Sequence, residues 1–155
     1  MRCLTLWQPF ASALAHGVKQ HETRSWSTSH RGWIAIHASK RDDVAYLHEV
    51  DRLLARHGIV EPLPRGKVVA VAKLSDVQRT DDVGPVLQNI NPADYLLGDY
   101  SPGRFAWYFS RVIPLPNPIP ATGAQGLWDW IQPHYVTDLI EADVALRHTR
   151  SGAVQ

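Results

Sequence analysis

The stretch Arg104–Ile113, RFAWYFSRVI, and the run IPLPNPIP that carries it on to Pro120 decide how this chain folds. Phe105, Trp107 and Phe109 fall on one face of an extended segment, and Tyr108 and Ser110 on the other, which makes this the strongest strand of the sequence. Prolines then occupy positions 114, 116, 118 and 120. In an extended chain every second amide points the same way, so these prolines remove donors along one side only. Leu115, Asn117 and Ile119 keep theirs on the other. An edge strand or a polyproline-like extension is the expected outcome.

Working outward, Lys67–Leu74, KVVAVAKL, is nearly continuous in small and β-branched apolar residues, as in a central strand buried on both faces. Trp33–Ala38, WIAIHA, is another strand, with His37 near its exit. Met1–Trp7 reads as a short strand that stops at Gln8-Pro9, and proline suits the first turn of a helix. Phe10, Ala13 and Leu14 then recur at helical spacing until Gly17 ends the run. In the strand that follows, Gln20, Glu22, Arg24 and Trp26 alternate onto one face, with His21, Thr23 and Ser25 on the other. Lys19 belongs to the turn before that strand, so alternation does not fix where its amine points.

Ser39 followed by Asp42 resembles a helix cap, and Asp42 and Asp43 suit the positive end of a helix. Tyr46, Val50, Leu53, Leu54 and His57 keep one stripe, closed by Gly58 and the prolines Pro62 and Pro64. Residues 75–103 are polar and broken by Gly and Pro, which predicts loops plus a short helix near Pro92–Leu97. Gly123–Trp130, GAQGLWDW, reads as a turn carrying two exposed tryptophans, and Tyr135–Arg150 as a helix. About five strands with dispersed helices and no βαβ rhythm place the chain in the α+β class, as a small mixed barrel. The expectation is a single domain over residues 1–150, with 151–155 as a frayed tail.

Composition narrows the function. A chain of 155 residues can bury one core without disulfide or metal staples, and 45% apolar content is ordinary for a globular domain. Cys3 is the only cysteine, so a disulfide framework and a thiolate metal cluster are excluded. There is no basic-then-apolar leader and no apolar run of membrane-spanning length, and a cytosolic protein without a membrane partner is expected. The net charge of +1 argues against a generic polycation, yet its distribution is uneven. Residues 1–41 carry Arg2, Lys19, Arg24, Arg31, Lys40 and Arg41 against one acid, Glu22, and the remaining chain is net acidic. Either charge simply fluctuates along the chain, or the N-terminal quarter builds a basic face.

The densest chemistry sits in Gly17–Arg24, GVKQHETR, flanked by Trp7 and Trp26. Several familiar sites are absent around it. His21-Glu22 and His48-Glu49 lack the second histidine of a zinc-protease motif, since Ser25 and Arg52 stand there. No phosphate-cradling glycine loop, nucleophile elbow or EF-hand occurs, and eight histidines without fitting spacing make no metal site.

The blocks LTLWQPFASALAHGVKQHETRSW, RGWIAIHASK, LLGDYSPGRFAWYFSRVIPLPNPIP and GAQGLW together resemble the ASCH family (activating signal cointegrator homology) over roughly residues 3–130. Its signature, Gly-x-Lys-x-x-Glu-x-Arg, is met by Gly17, Lys19, Glu22 and Arg24. The resemblance implies a PUA-like mixed β-barrel of five to six strands with flanking helices, a cleft beside the signature, and binding of RNA. Single-stranded RNA or a modified nucleoside is the implied partner, with DNA as an alternative. Some small members of similar fold are enzymes: amidohydrolases of N4-acetylcytidine, or metal-assisted ribonucleases. Where the amidohydrolases carry a nucleophilic threonine three residues after the lysine, this chain has Glu22, and alternation turns Thr23 to the opposite face. Nucleic-acid binding therefore ranks above deacetylation. No cofactor is expected, a divalent ion beside Glu22 being required only by the nuclease reading. A protein-protein adaptor anchored by tryptophans is the remaining alternative.

Each candidate has a functional and a plain reading. Lys19 meets a phosphate or polarises a carbonyl, or is a solvated surface lysine. Glu22 acts as a base or accepts from a nucleobase amine, or pairs with Arg24. Arg24 forks a phosphate or stacks on a base, or returns that pairing. Only in an enzyme would Lys19 and Glu22 be catalytic. Trp7 and Trp26 stack on a base or pack in the core. His37, Ser39 and Lys40 leave a strand beside the cleft, where hydroxyl and amine suit phosphate, and Ser39 has its capping role as the alternative. Arg104, Gln125 and Trp128 fall in the family blocks as further cleft candidates, whereas Trp107 reads as core. Lys19, Glu22 and Arg24 are expected on one concave surface rimmed by Trp7 or Trp26.

Overall fold

The stretch that opens the sequence argument becomes the longest strand. The computed structural model describes residues 1–41 and 45–153. Six strands are seen, β1 (Arg2–Leu6), β2 (His21–Arg24), β3 (Gly32–Ala38), β4 (Lys67–Arg79), β5 (Phe105–Pro120) and β6 (Leu127–Asp129). They form one mixed sheet in the order β2-β5-β4-β3-β1-β6. β5 runs antiparallel to β4 from Phe105 opposite Arg79 to Pro120 opposite Lys67, with a register jump between Pro114 and Ile119. The proline run is therefore paired with β4 at both its ends, through Pro114 and through Ile119 and Pro120, rather than a free extension. On its other flank β2 pairs only with Phe105–Tyr108, so the proline-bearing half lies on an edge, where missing donors leave no ladder broken. Such an edge also resists pairing with another chain.

β4 continues five residues past the predicted end at Leu74. Residues 75–79 look like loop because they are polar, but they lie opposite Phe105–Tyr108 of the most apolar strand, and that pairing overrides local composition. β1 is parallel to β3, through Cys3 opposite Ala35, and antiparallel to β6, through Cys3 opposite Trp128. β6 corrects the reading of Gly123–Trp130 as a turn with exposed tryptophans. Trp130 is buried in a core cluster with Cys3 and Val136, and the Trp128 indole donates to the Thr5 hydroxyl at 3.0 Å.

Among the described residues five helices flank the sheet: α1 (Phe10–Ala15), α2 (His48–Arg56), α3 (Thr80–Ile90), α4 (Pro92–Leu96) and α5 (His134–Ser151). α2 begins nine residues after Ser39, so Ser39 does not cap it; its hydroxyl accepts from the Arg41 amide instead. Asp42 and Asp43 lie outside the described residues. α3 was hidden by Gly84-Pro85. Its first turn carries Asp81 and Asp82, which favour a helix N-terminus, and the Thr80 hydroxyl ties that end to the Ser101 and Arg104 carbonyls. α3 lies against Tyr100 at Gly84, where an added Cβ would make only ordinary contact, 3.4 Å from that side chain. α5 includes Ser151, the first residue of the expected tail.

One core fills the inside of the sheet: Leu4, Leu6, Ile34, Ile36, Leu74, Trp107 and Phe109 close over Ala11 and Leu14 of α1. A second lies beneath α5, and a third joins Ala13 of α1 to Val50, Leu53 and Leu54 of α2 and to Leu97. Three strands separate β2 from β1 in the sheet order, yet the Arg24 guanidinium donates to the Thr5 carbonyl at 2.5 Å. The sheet thus curls into an α+β half-barrel that brings β2, at one end of the order, back against β1 near the other, where the cleft lies.

Candidate functional site

The signature residues reach the cleft through α1 and β2. Gly17 ends α1 with φ +77, and the amides of Val18 and Lys19 both donate back to the Ala13 carbonyl. That tight reversal turns the Lys19 side chain inward. Lys19 is 1% exposed, its Nζ donating to the Leu97 carbonyl at 2.7 Å and lying 3.6 Å from Glu22 Oε1 and 5.7 Å from the centre of the Phe10 ring. The signature lysine therefore stands behind the cleft, not on its surface. A buried ammonium is tolerated because a carbonyl, a carboxylate and a ring face surround it.

Glu22 is the signature residue that faces both ways. Its Oε1 accepts from the Thr23 amide at 2.8 Å and leans towards Lys19. Its Oε2 has no hydrogen-bond partner among the described residues, with Arg24 Nη2 3.9 Å away. The strand carrying it is held by Asp94 of α4, which is fully buried. Asp94 Oδ1 accepts from the amides of Gln20 and His21, and Oδ2 lies 2.7 Å from His21 Nδ1. The His21 ring packs on Tyr108 across the strand pair. Nothing in sequence spacing pointed to Asp94, because its partners lie more than 70 residues away.

Glu22, Arg24, Trp7, Trp26 and Arg104 line one chamber of about 460 Å³, between the mouth of the half-barrel and α2. Its apolar wall comes from Phe10, Tyr46, Leu47, Val50, Leu96 and Leu97. The Arg104 guanidinium braces the far side, donating to the carbonyls of Asp99 and Thr23. The Thr23 hydroxyl is occupied by the Asp99 amide at 2.9 Å. Arg24 Nε is buried without a hydrogen-bond partner among the described residues. Trp7 is 45% exposed, with the Arg41 guanidinium 4.6 Å over its ring. Trp26 packs edge-on against Trp107, which is core, as its strand face implied.

A second chamber of about 640 Å³ adjoins the first through Thr5, Trp7, Arg24 and Trp26, which line both. His37, Ser39, Lys40 and Gln125 line it, with the rest of the loop at residues 122–126. His37 is only 2% exposed and fully engaged. Its Nε2 lies 2.9 Å from the Ala121 carbonyl and so carries the proton. Nδ1 then accepts from the Thr5 hydroxyl, which in turn accepts from Trp128. Burial holds its pKa below the usual 6.5, with Lys40 adding to the effect against the Ala121 bond. Gly123 lies against this ring so closely that a Cβ would sit 2.6 Å from it. His37 is thus a linking group in the wall, and Trp128 supports it edge-on from behind, lining neither chamber.

Of the residues proposed from sequence, Lys19 and Trp128 alone lie off the chamber surfaces. The contributions of α2 and of Leu96–Asp99 were missed. Tyr46 and Val50 stood in a stripe read simply as a helix face, and the 96–99 segment carries no motif. Among the described residues no group of three or more His, Cys, Asp or Glu is placed to hold a metal ion. No described helix is long and apolar enough to cross a membrane.

A model of the ASCH domain matches residues 4–119. Human activating signal cointegrator 1 is 40% identical over 80 residues, which are 48% of this chain and 14% of the human protein. The mouse protein is 38% identical over 80 residues, again 14% of its length. The similarity thus spans a small part of these relatives. Among solved structures, ASCH from Zymomonas mobilis matches with a TM-score of 0.53 at 17% identity, over 90% of this chain and 93% of that one. A single-site mutant of the Zymomonas mobilis protein gives 0.52 at 18% identity, over 90% and 96%. At such identity the likeness carries the fold alone.

Proposed function

Since this chain belongs to the ASCH domain family, we propose that its first chamber binds an unpaired base of single-stranded RNA, or a modified nucleobase, rather than processing it. The observation that carries this reading is Glu22 Oε2, an open acceptor beside the Arg24 guanidinium, at the base of an aromatic-rimmed chamber. A carboxylate there accepts from the exocyclic amine of cytosine or adenine, and the guanidinium donates to a neighbouring ring or carbonyl acceptor. Trp7 and Trp26 supply faces for the ring, each such stack contributing about 1–3 kcal/mol. The volume of about 460 Å³ falls within the usual range for small-ligand sites. Lys19 serves from behind by holding Oε1, which leaves Oε2 for the ligand.

The amidohydrolase reading has less support, because position 22 offers a carboxylate and the Thr23 hydroxyl is engaged by Asp99. The test is titration of the purified protein with short single-stranded RNAs and with free nucleosides, followed by Glu22→Gln. Binding is expected to weaken roughly 10-fold, in line with about 1–3 kcal/mol for one base-edge contact, and to lose its preference for amino-bearing bases. Efficient acetate release from N4-acetylcytidine that Glu22→Gln abolishes would establish an amidohydrolase instead. RNA cleavage that needs added divalent ion and Glu22 would establish a nuclease.

A further inference from the structure

We propose that the second chamber is a phosphate subsite, so that the ligand of the whole cleft is a nucleotide strand and not a free nucleoside. This rests on reading the first chamber as a base site, and it arises from the contrast in charge between the two cavities. The first chamber sets Glu22 and Asp99 against Arg24 and Arg104. Among the described residues, the second is lined by Arg24, Lys40 and Arg41 and by no carboxylate. His37 adds no charge there, being locked as a neutral ring between Thr5 and Ala121.

Lys40 is the cation best placed to act. Its ammonium has no carboxylate partner among the described residues, and its stem lies along Gly66, where a Cβ would come within 2.7 Å of it. Packing thus restrains the long side chain while its head stays exposed. The exposed loop at residues 122–126 lines the same chamber as Lys40 and brings no acid to it. The Lys40 ammonium and the Arg24 guanidinium on one cavity make a setting for an anion with several oxygens. Arg24 lines both chambers, which gives a strand whose base enters the first a path for its adjoining phosphodiester past that guanidinium into the second. An isolated nucleoside would leave this chamber to water.

Affinities for cytidine, adenosine, their 5′- and 3′-monophosphates and a single-stranded RNA tetranucleotide decide the matter. The expected result is at least 10-fold tighter binding of one monophosphate series than of its nucleosides. Lys40→Gln should reduce that preference to less than threefold and lower the log–log salt slope for the tetranucleotide by about 0.7. A thermal melt of the variant controls for folding. Nucleosides and monophosphates binding equally would overturn the proposal, as would a preference that survives Lys40→Gln. So would a hexaglutamate peptide competing as well as the tetranucleotide, the mark of a general anion surface. If phosphate-bearing ligands, ribose 5-phosphate included, bind through Lys40 while Glu22→Gln changes nothing, the subsite stands and the base reading falls. If Glu22→Gln weakens nucleosides and nucleotides alike while phosphate adds nothing, the base reading stands and the subsite falls.

Discussion

The two chambers share a wall, yet they hold their charges in opposite ways. Glu22 in the wall of the first, and Lys19 and Asp94 behind it, are buried and held by carbonyls and amides. Lys40 and Gln125 in the second are exposed. Burial makes the first set members of the fold as much as of the site, because a buried charge that loses its partner leaves the other uncompensated. The second set is free to change with little effect on stability. A site can therefore be half architecture and half adjustable surface within one cleft.

The sharpest way to break that contrast is Lys19→Ala. It should cost about 3–5 kcal/mol in urea denaturation, since it leaves the Glu22 carboxylate without its buried cation and opens a cavity. A loss below about 1 kcal/mol would place Lys19 among the adjustable residues. The reading of Lys19 as a solvated surface lysine does not hold, since the side chain is buried.

Asp94→Ala should cost somewhat less, about 2–3 kcal/mol, by leaving the amides of Gln20 and His21 without an acceptor. The same variant should loosen β2 and weaken ligand binding without touching a ligand atom. Hydrogen exchange at His21–Arg24 checks this, and unaltered protection there would count against it.

Mild acid probes the wall between the chambers. The folded pKa of His37 lies below its unfolded 6.5, so the unfolded chain takes up this proton first as pH falls. The stability contribution is complete above about 6.5 and is lost as pH drops from there towards the folded value. The lowered carboxylates act further down: Asp143, hydrogen-bonded to Arg111, and Asp99, hydrogen-bonded to Ser101, both titrate below 3.8. Stability measured between pH 7 and 5 should decline in the native protein and stay flatter in His37→Gln. Equal slopes for the two proteins would assign the loss to another group.

The smallest effect sharpens the other half. Lys40→Gln should shift stability by no more than about 0.5 kcal/mol, as expected of an exposed residue. A larger loss would show that its contact with Gly66 is structural.

Much of this was legible in the sequence because it depends on local pattern. Alternation in RFAWYFSRVI, the apolar run KVVAVAKL and the glycine stop after α1 each appear in the structure where neighbouring residues demand them. The same-face placement of Glu22 and Arg24 followed from the two-residue period of a strand. Donors removed from one side by alternate prolines left β5 able to pair with β4 along the other.

Tertiary structure alone decided the rest, because the energies involved come from partners far along the chain. Residues 75–79 and 127–129 became strand only because β5 and β1 offered them a ladder. The Lys19 amine, which no local rule could orient, turned inward to a carbonyl 78 residues away. Sequence brought the cations and aromatics into the first quarter of the chain. The curl of the sheet, sealed by Arg24 on Thr5, brought the ends of β1 and β2 together and divided the space between them into two chambers. Periodicity along a backbone is a local property, whereas the shape of a cavity is set by what is packed around it.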